Sequence, residues 1–136
     1  PDAHPRRADL CRMLQLNLEG LLRVQDRFGL WHNVLDADPA DSRPCSSATS
    51  QVLRLYARAY YKGWCRDPRI PPMLEKAWLG LKTKIWENRL LSYCVGTSYS
   101  LSRQCYLARP HDSFRACRSA ILHAWIELQR MRAVAA

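Results

Sequence analysis

Apolar residues in this chain repeat at intervals of three and four along four separate stretches, and the connections between those stretches are very unequal in length. Leu10, Leu14, Leu18, Leu21 and Leu22 form the first stripe, over roughly residues 6–26. Val52, Leu53, Tyr56, Ala59 and Tyr60 form the second, Leu74, Trp78, Leu81 and Ile85 the third, and Phe114, Cys117, Ile121, Ala124, Trp125, Leu128 and Met131 the fourth. Spacing of this kind keeps one face apolar through successive turns of 3.6 residues and predicts four amphipathic helices. Ser46 or Ser47 is placed to cap the second helix and Gly63 to end it; Pro71 opens the third, and Asp112 or Ser113 caps the fourth. Sustained period-two alternation is absent, so the chain reads as all-α, with a short extended pair around Trp31 to Leu35.

The helices are separated by about 20, seven and 26 residues in turn. Connections longer than about 12–15 residues are uncommon in compact domains and tend to carry function. If sequential helices run antiparallel, both long connections emerge at the same end and the short one at the other. That parity gathers Trp31, His32 and Asp36 on one rim with Cys94, Gly96, Thr97, Tyr99 and Arg103. A four-helix bundle with two decorative loops is the plainer alternative.

Charge narrows the partners. Lys and Arg number 21 against 12 Asp and Glu, a net charge of +9 over 136 residues, which attracts anions over a screening distance of about 10 Å. Uronic-acid sugars, nucleic acid and anionic lipid would all be drawn to it. The arginines are scattered at helical spacings, and no zinc-finger, RNA-recognition or basic-zipper pattern is present, so nucleic acid is not the expected partner. No apolar run approaches 18 residues, so no membrane span is expected. The six cysteines include no C-x-x-C pair, and reduced thiols are expected, with neither a metal site nor a cofactor. Pro1 stands where an initiator Met would be, and no charged-then-apolar leader is visible; the expectation is a chain trimmed at its N-terminus, in a cytoplasmic setting.

Gly29-Leu30-Trp31-His32-Asn33-Val34-Leu35-Asp36, followed by Ser42-Arg43-Pro44 and Ser46-Ser47-Ala48-Thr49, resembles the C-terminal part of the unsaturated glycuronyl and rhamnogalacturonyl hydrolases, glycoside hydrolase families 88 and 105. Tyr60-Tyr61-Lys62-Gly63-Trp64, Glu75-Lys76-Ala77-Trp78, Cys94-Val95-Gly96-Thr97 and Tyr106-Leu107-Ala108-Arg109-Pro110 fit the same pattern in order, so the likeness spans nearly the whole chain. It implies one domain over residues 1–136, the C-terminal portion of a six-hairpin (α/α) toroid with about four main helices. It also implies water addition across the double bond of a 4,5-unsaturated uronide, after which the hemiketal opens and releases the rest of the sugar. The family's acid/base Asp belongs to an N-terminal half that no segment here matches. The isolated chain is therefore expected to be inactive, and no catalytic residue is named. Two departures stand out: Cys45 replaces a Glu after Arg43-Pro44, and Arg115 to Arg118 replace a glycine-rich segment.

The candidate substrate-binding residues are Trp31, His32, Gly96, Thr97, Ser98 and Arg103. An indole offers a flat face to a sugar ring, and His32, Thr97, Ser98 and Arg103 carry groups that bond hydroxyls or a uronate carboxylate. Structural roles compete: Trp31 as a plug beneath a long loop, His32 as a loop-ordering donor, Asp36 as a turn former, Gly96 as a backbone turn. An arc cut from a toroid bares an apolar seam at each end. Losing about 400 Å² of burial on each would forfeit on the order of 20 kcal/mol, more than the roughly 5–15 kcal/mol by which a domain is stable. Self-association through those seams follows as an expectation, and a non-catalytic interaction module or degenerate relative is the alternative function.

Overall fold

A computed structural model describes residues 4–38, 40–86, 89–94, 102–107, 111–114 and 118–135. Four long helices carry it: α1 (Arg7–Val24), α2 (Ser46–Tyr61), α3 (Ile70–Lys82) and, after β1 (Ile85–Trp86), β2 (Arg89–Cys94), the short α4 (Arg103–Leu107) and β3 (His111–Phe114), the last helix α5 (Arg118–Ala135). The chain is helical, as the periodicity predicts. α2 is the central element. It packs on α5 and α3 and reaches α1 through Tyr56, whose hydroxyl lies 3.0 Å from the Leu14 carbonyl oxygen and 2.8 Å from Asn17 Oδ1, both within reach of its one proton. Leu18, Leu53, Tyr56, Leu74, Leu81 and Leu128 are wholly buried in the core that these helices share. Burial pushes the Tyr56 phenol well above its ordinary range.

The structure corrects the sequence reading in three places. The last connection holds a three-stranded antiparallel sheet in the order β1-β2-β3, with Ile85 opposite Leu90 and Cys94 opposite His111. Its strands are two to six residues long, too short for a period to be read. Phe114 lies in β3, so α5 starts at Arg118 rather than after Asp112. The cap of α2 is Cys45, whose sulfur accepts from the Ala48 amide at 3.5 Å, while Ser46 is buried inside the first turn. Near Trp31 the extended pairing is one bridge, His32 to Pro44.

Two glycines let the first long connection lie along α3. Gly29 has φ +87°, and a Cβ there would meet the Lys76 carbonyl oxygen at 2.3 Å; a Cβ on Gly80 would meet the Phe28 carbonyl oxygen at the same distance. Gln25 Nε2 donates to the Met73 carbonyl at 3.1 Å and Lys76 Nζ to the Asp26 carbonyl at 2.9 Å, so the segment is bonded along one ridge of α3. At the opposite end, Arg69 bonds Glu19 of α1 and Asp67, and Gln15 Nε2 donates to Asp67 Oδ2 at 2.9 Å. The guanidinium holds both carboxyls below their ordinary range.

Outward faces of the two terminal helices are apolar. Leu10, Met13 and Leu16 on α1, and Leu122, Ile126 and Val134 on α5, are exposed.

Gly80→Ala should destabilise the chain by about 2 kcal/mol, because the clash exceeds the helix-propensity gain. Gly20→Ala on α1, where an added Cβ meets nothing within 4 Å, should stabilise it by roughly 0.5–1 kcal/mol; urea unfolding of both variants reads the opposite signs. The Arg69 cluster predicts a pH effect. Its carboxyls titrate lower in the folded state, so their contribution is complete above about pH 4 and is lost as pH falls through the folded values. Thermal melts should therefore show Arg69→Met costing stability at pH 6 and costing progressively less on approach to about pH 2.

Candidate functional site

The rim is built outward from one buried side chain. Trp31 has no exposed surface. Its indole N–H donates to the Leu21 carbonyl at 2.9 Å, satisfying an orphan acceptor in the last turn of α1. Its amide donates to Thr49 Oγ1 at 3.0 Å, and its carbonyl accepts from the Cys45 amide at 2.8 Å. The sugar-stacking role expected of Trp31 is therefore corrected: the ring is a plug, with no face toward solvent.

Asp26 anchors the turn that precedes it. Its Oδ1 accepts the amides of Phe28 and Leu30, both at 2.8 Å, and its Oδ2 lies 3.3 Å from His32 Nε2. The other ring nitrogen of His32 lies 2.7 Å from the Ser42 carbonyl oxygen. Both nitrogens thus face oxygen acceptors, and the imidazole, with 13% of its side chain exposed, spends its polar capacity on ordering the loop. Ser42, also buried, donates to Asn33 Oδ1 at 2.9 Å and accepts the Val34 amide at 3.2 Å. These bonds order residues 26–38 and 40–45 into a wall against α1, α2 and α3.

Arg103 joins that wall to the other long connection. Its Nη2 donates to the Asp36 carbonyl at 3.2 Å and lies 4.0 Å from Asp36 Oδ1, bridging 67 residues of sequence. Both side chains are well exposed, 58% and 83%. The two long loops thus meet at one end, as helix parity requires, and His32 and Arg103 belong to that end. Gly96, Thr97 and Ser98 lie outside the described residues. Asp26 was not among the residues singled out from sequence; the signal for it is the Asp-x-x-Gly spacing of Asp26 and Gly29, an Asx turn closed by a left-handed glycine.

No group of three or more potential metal ligands occurs among the described residues, no described helix is long and apolar enough to cross a membrane, and Cys11, Cys45, Cys65 and Cys105 are free thiols.

The sequence profile of Glycosyl Hydrolase Family 88 matches residues 1–132. The fold superposes on crystal structures of possible members of glycoside hydrolase family 105 from Salmonella enterica subsp. enterica serovar Paratyphi A and from Klebsiella pneumoniae subsp. pneumoniae, each with a TM-score of 0.84, 25% identity, and coverage of 98% of this chain and 34% of the other. A family 105 glycoside hydrolase from C. acetobutylicum has the same fold, with a TM-score of 0.77, 18% identity and coverage of 98% and 40%. The chain thus spans about a third of the length of the solved structures it matches. No curated protein matches it.

Asp26→Ala should destabilise the chain by roughly 2 to 3 kcal/mol, the scale of losing hydrogen bonds to a charged acceptor. Asp36→Ala should change stability by less than about 0.5 kcal/mol, because Arg103 bonds the Asp36 backbone oxygen; guanidinium unfolding of both variants measures the difference.

Proposed function

The chain belongs to Glycosyl Hydrolase Family 88, and from that premise we propose that it contributes one wall and part of the rim of a sugar pocket in a hydrolase of the unsaturated glycuronyl type. The observation that carries this reading is the meeting of the two long loops at Arg103 and Asp36, because a toroid presents its pocket where such loops converge.

In this reading the substrate is a 4,5-unsaturated uronide. Water adds across the enol-ether double bond, and the hemiketal opens to release the remaining sugar. Arg103 is a rim cation for a uronate: its guanidinium is mostly exposed, one nitrogen is held by the Asp36 carbonyl with the Asp36 carboxylate 4.0 Å away, and its other N–H donors serve the ligand. His32 positions the wall. Gly96, Thr97 and Ser98 complete the proposed contacts from the second loop. The acid/base carboxylate is assigned to no residue here. Asp26, the carboxylate that faces His32, is occupied by backbone amides.

The apolar outer faces of α1 and α5 support a second element of the proposal: presented alone, these 136 residues associate with one another through those faces and turn over no substrate.

The test follows the ultraviolet absorbance of the enol ether in an unsaturated uronide disaccharide. The 136-residue chain should leave the absorbance unchanged and sediment above its monomer mass. A polypeptide of the full family length that contains it should consume the absorbance, with Arg103→Ala raising KM about tenfold, the scale of one charge-assisted bond, and leaving kcat within about twofold. Turnover by the short chain, or an unchanged KM in the variant, would overturn the assignment.

A further inference from the structure

Two free cysteines, far apart in sequence, flank one side chain of α1. Cys65 is buried just past the end of α2, and its thiol donates to Gln15 Oε1 at 3.0 Å. Cys11 stands one helical turn before Gln15, and residues four apart on a helix lie one above the other, about 5–6 Å between their Cβ atoms. Cys11 is half-buried on the inward side of α1, two turns before the wholly buried Leu18, whereas Met13 and Leu16 on the outward side are exposed. It also lines a cleft together with Trp64, the chain neighbour of Cys65. Burial pushes the Cys65 thiol up, and the neighbouring charges of Asp67 and Cys11 act in the same direction.

The backbone fixes Cys65 in place. α2 ends with the Gly63 amide donating to the Tyr60 carbonyl at 3.0 Å and the Trp64 amide donating to the Ala59 carbonyl at 2.8 Å, with Gly63 at φ +72°. The Cys65 amide reaches the same Ala59 carbonyl at 3.2 Å. α1, by contrast, is fastened here through side chains: Tyr56 reaches Leu14 and Asn17, and Arg69 reaches Glu19. A thiol on a fixed turn therefore faces a helix that side-chain bonds hold against it.

We propose that Cys11 and Cys65 are a redox-responsive pair, which closes a disulfide and staples α1 to the α2–α3 connection when the chain meets a low-molecular-weight disulfide. Cys11, the more accessible sulfur, reacts first. Its thiolate attacks the small disulfide, displaces one small thiolate and leaves a mixed disulfide on Cys11 Sγ. Cys65 then loses its proton to solvent and attacks Cys11 Sγ, and the bond from Cys11 to the small thiol breaks. Two protein thiols are oxidised, and one small disulfide is reduced to two thiols. Cys65 gives up its hydrogen bond to Gln15 for a covalent bond one turn earlier on α1, while Gln15 Nε2 keeps Asp67 Oδ2 as a partner. The product closes a loop from residue 11 to residue 65, long enough to restrict the unfolded chain strongly.

The test exposes the full 136-residue chain to oxidised glutathione at about pH 8, where thiolates form, traps remaining thiols with N-ethylmaleimide under denaturing conditions, and digests the product without reduction. Mass spectrometry of the monomer band from a non-reducing gel should find the Cys11 and Cys65 peptides joined, two hydrogens lighter than their sum. Cys11→Ser should leave Cys65 trapped by the maleimide, because the buried thiol meets the oxidant through Cys11. Cys65→Ser should instead accumulate a glutathione adduct on Cys11. Oxidation should raise the Tm of the unsubstituted chain by about 10 °C, reversibly with dithiothreitol, and should move that of Cys11→Ser by less than about 2 °C. Cys65 still free in the unsubstituted chain, a link from either residue to another cysteine, or a joined pair found only between two chains would overturn the proposal. An unchanged Tm after the pair has closed would overturn its role as a staple.

Discussion

The seating of Trp31 in the core is the interaction on which the rest of this structure depends. One side chain closes the end of α1 by bonding the Leu21 carbonyl, and its backbone engages Thr49 and Cys45 at the start of α2. The same residue therefore fixes where one helix ends and the next begins. A loop of about 20 residues would ordinarily surrender much conformational entropy to become a defined wall. Here the loss is offset by full burial of an indole and by donors and acceptors that would otherwise be orphaned at helix ends.

Close backbone approach is the second condition. Gly29 and Gly80 bring the loop against α3 at distances that no side chain tolerates, and Asp26 holds the turn by collecting two amides and facing His32. Arg103 meets this wall at the Asp36 carbonyl, in a loop that Trp31, Ser42 and Asp26 order. The apolar faces left on α1 and α5 fit the same account, since the fold shared with the family 105 structures occupies about a third of their length.

Much of this was legible in the sequence, for identifiable reasons. The stripes of α1, α2 and α3 showed as periods of three and four because each helix buries one face, although Leu10 of the first stripe is exposed and Ile85 of the third falls in β1. Gly63 and Pro71 marked boundaries through their own backbone limits. The shared end of the long loops followed from parity, and the family from ordered short motifs. The strands between Ile85 and Phe114 were hidden because two to six residues carry no readable period. Cys45 as a cap was missed because a thiol is a weak acceptor beside two serines. Trp31 admitted two roles because an indole suits a core and a sugar equally well; only its burial decides. Asp26 is marked in the sequence only by its spacing to Gly29; its pairing with a histidine six residues on comes from the fold.

Amide hydrogen exchange across residues 26–45 tests the central claim most directly, that this loop is a wall fixed by its own core anchor. The account predicts that the amides of Trp31 and Cys45 exchange as slowly as those in the middle of α2, opening only with global unfolding. Exchange of these amides by local opening, while α2 stays protected, would contradict it and would make the loop a mobile segment whose contact with Arg103 cannot define a pocket.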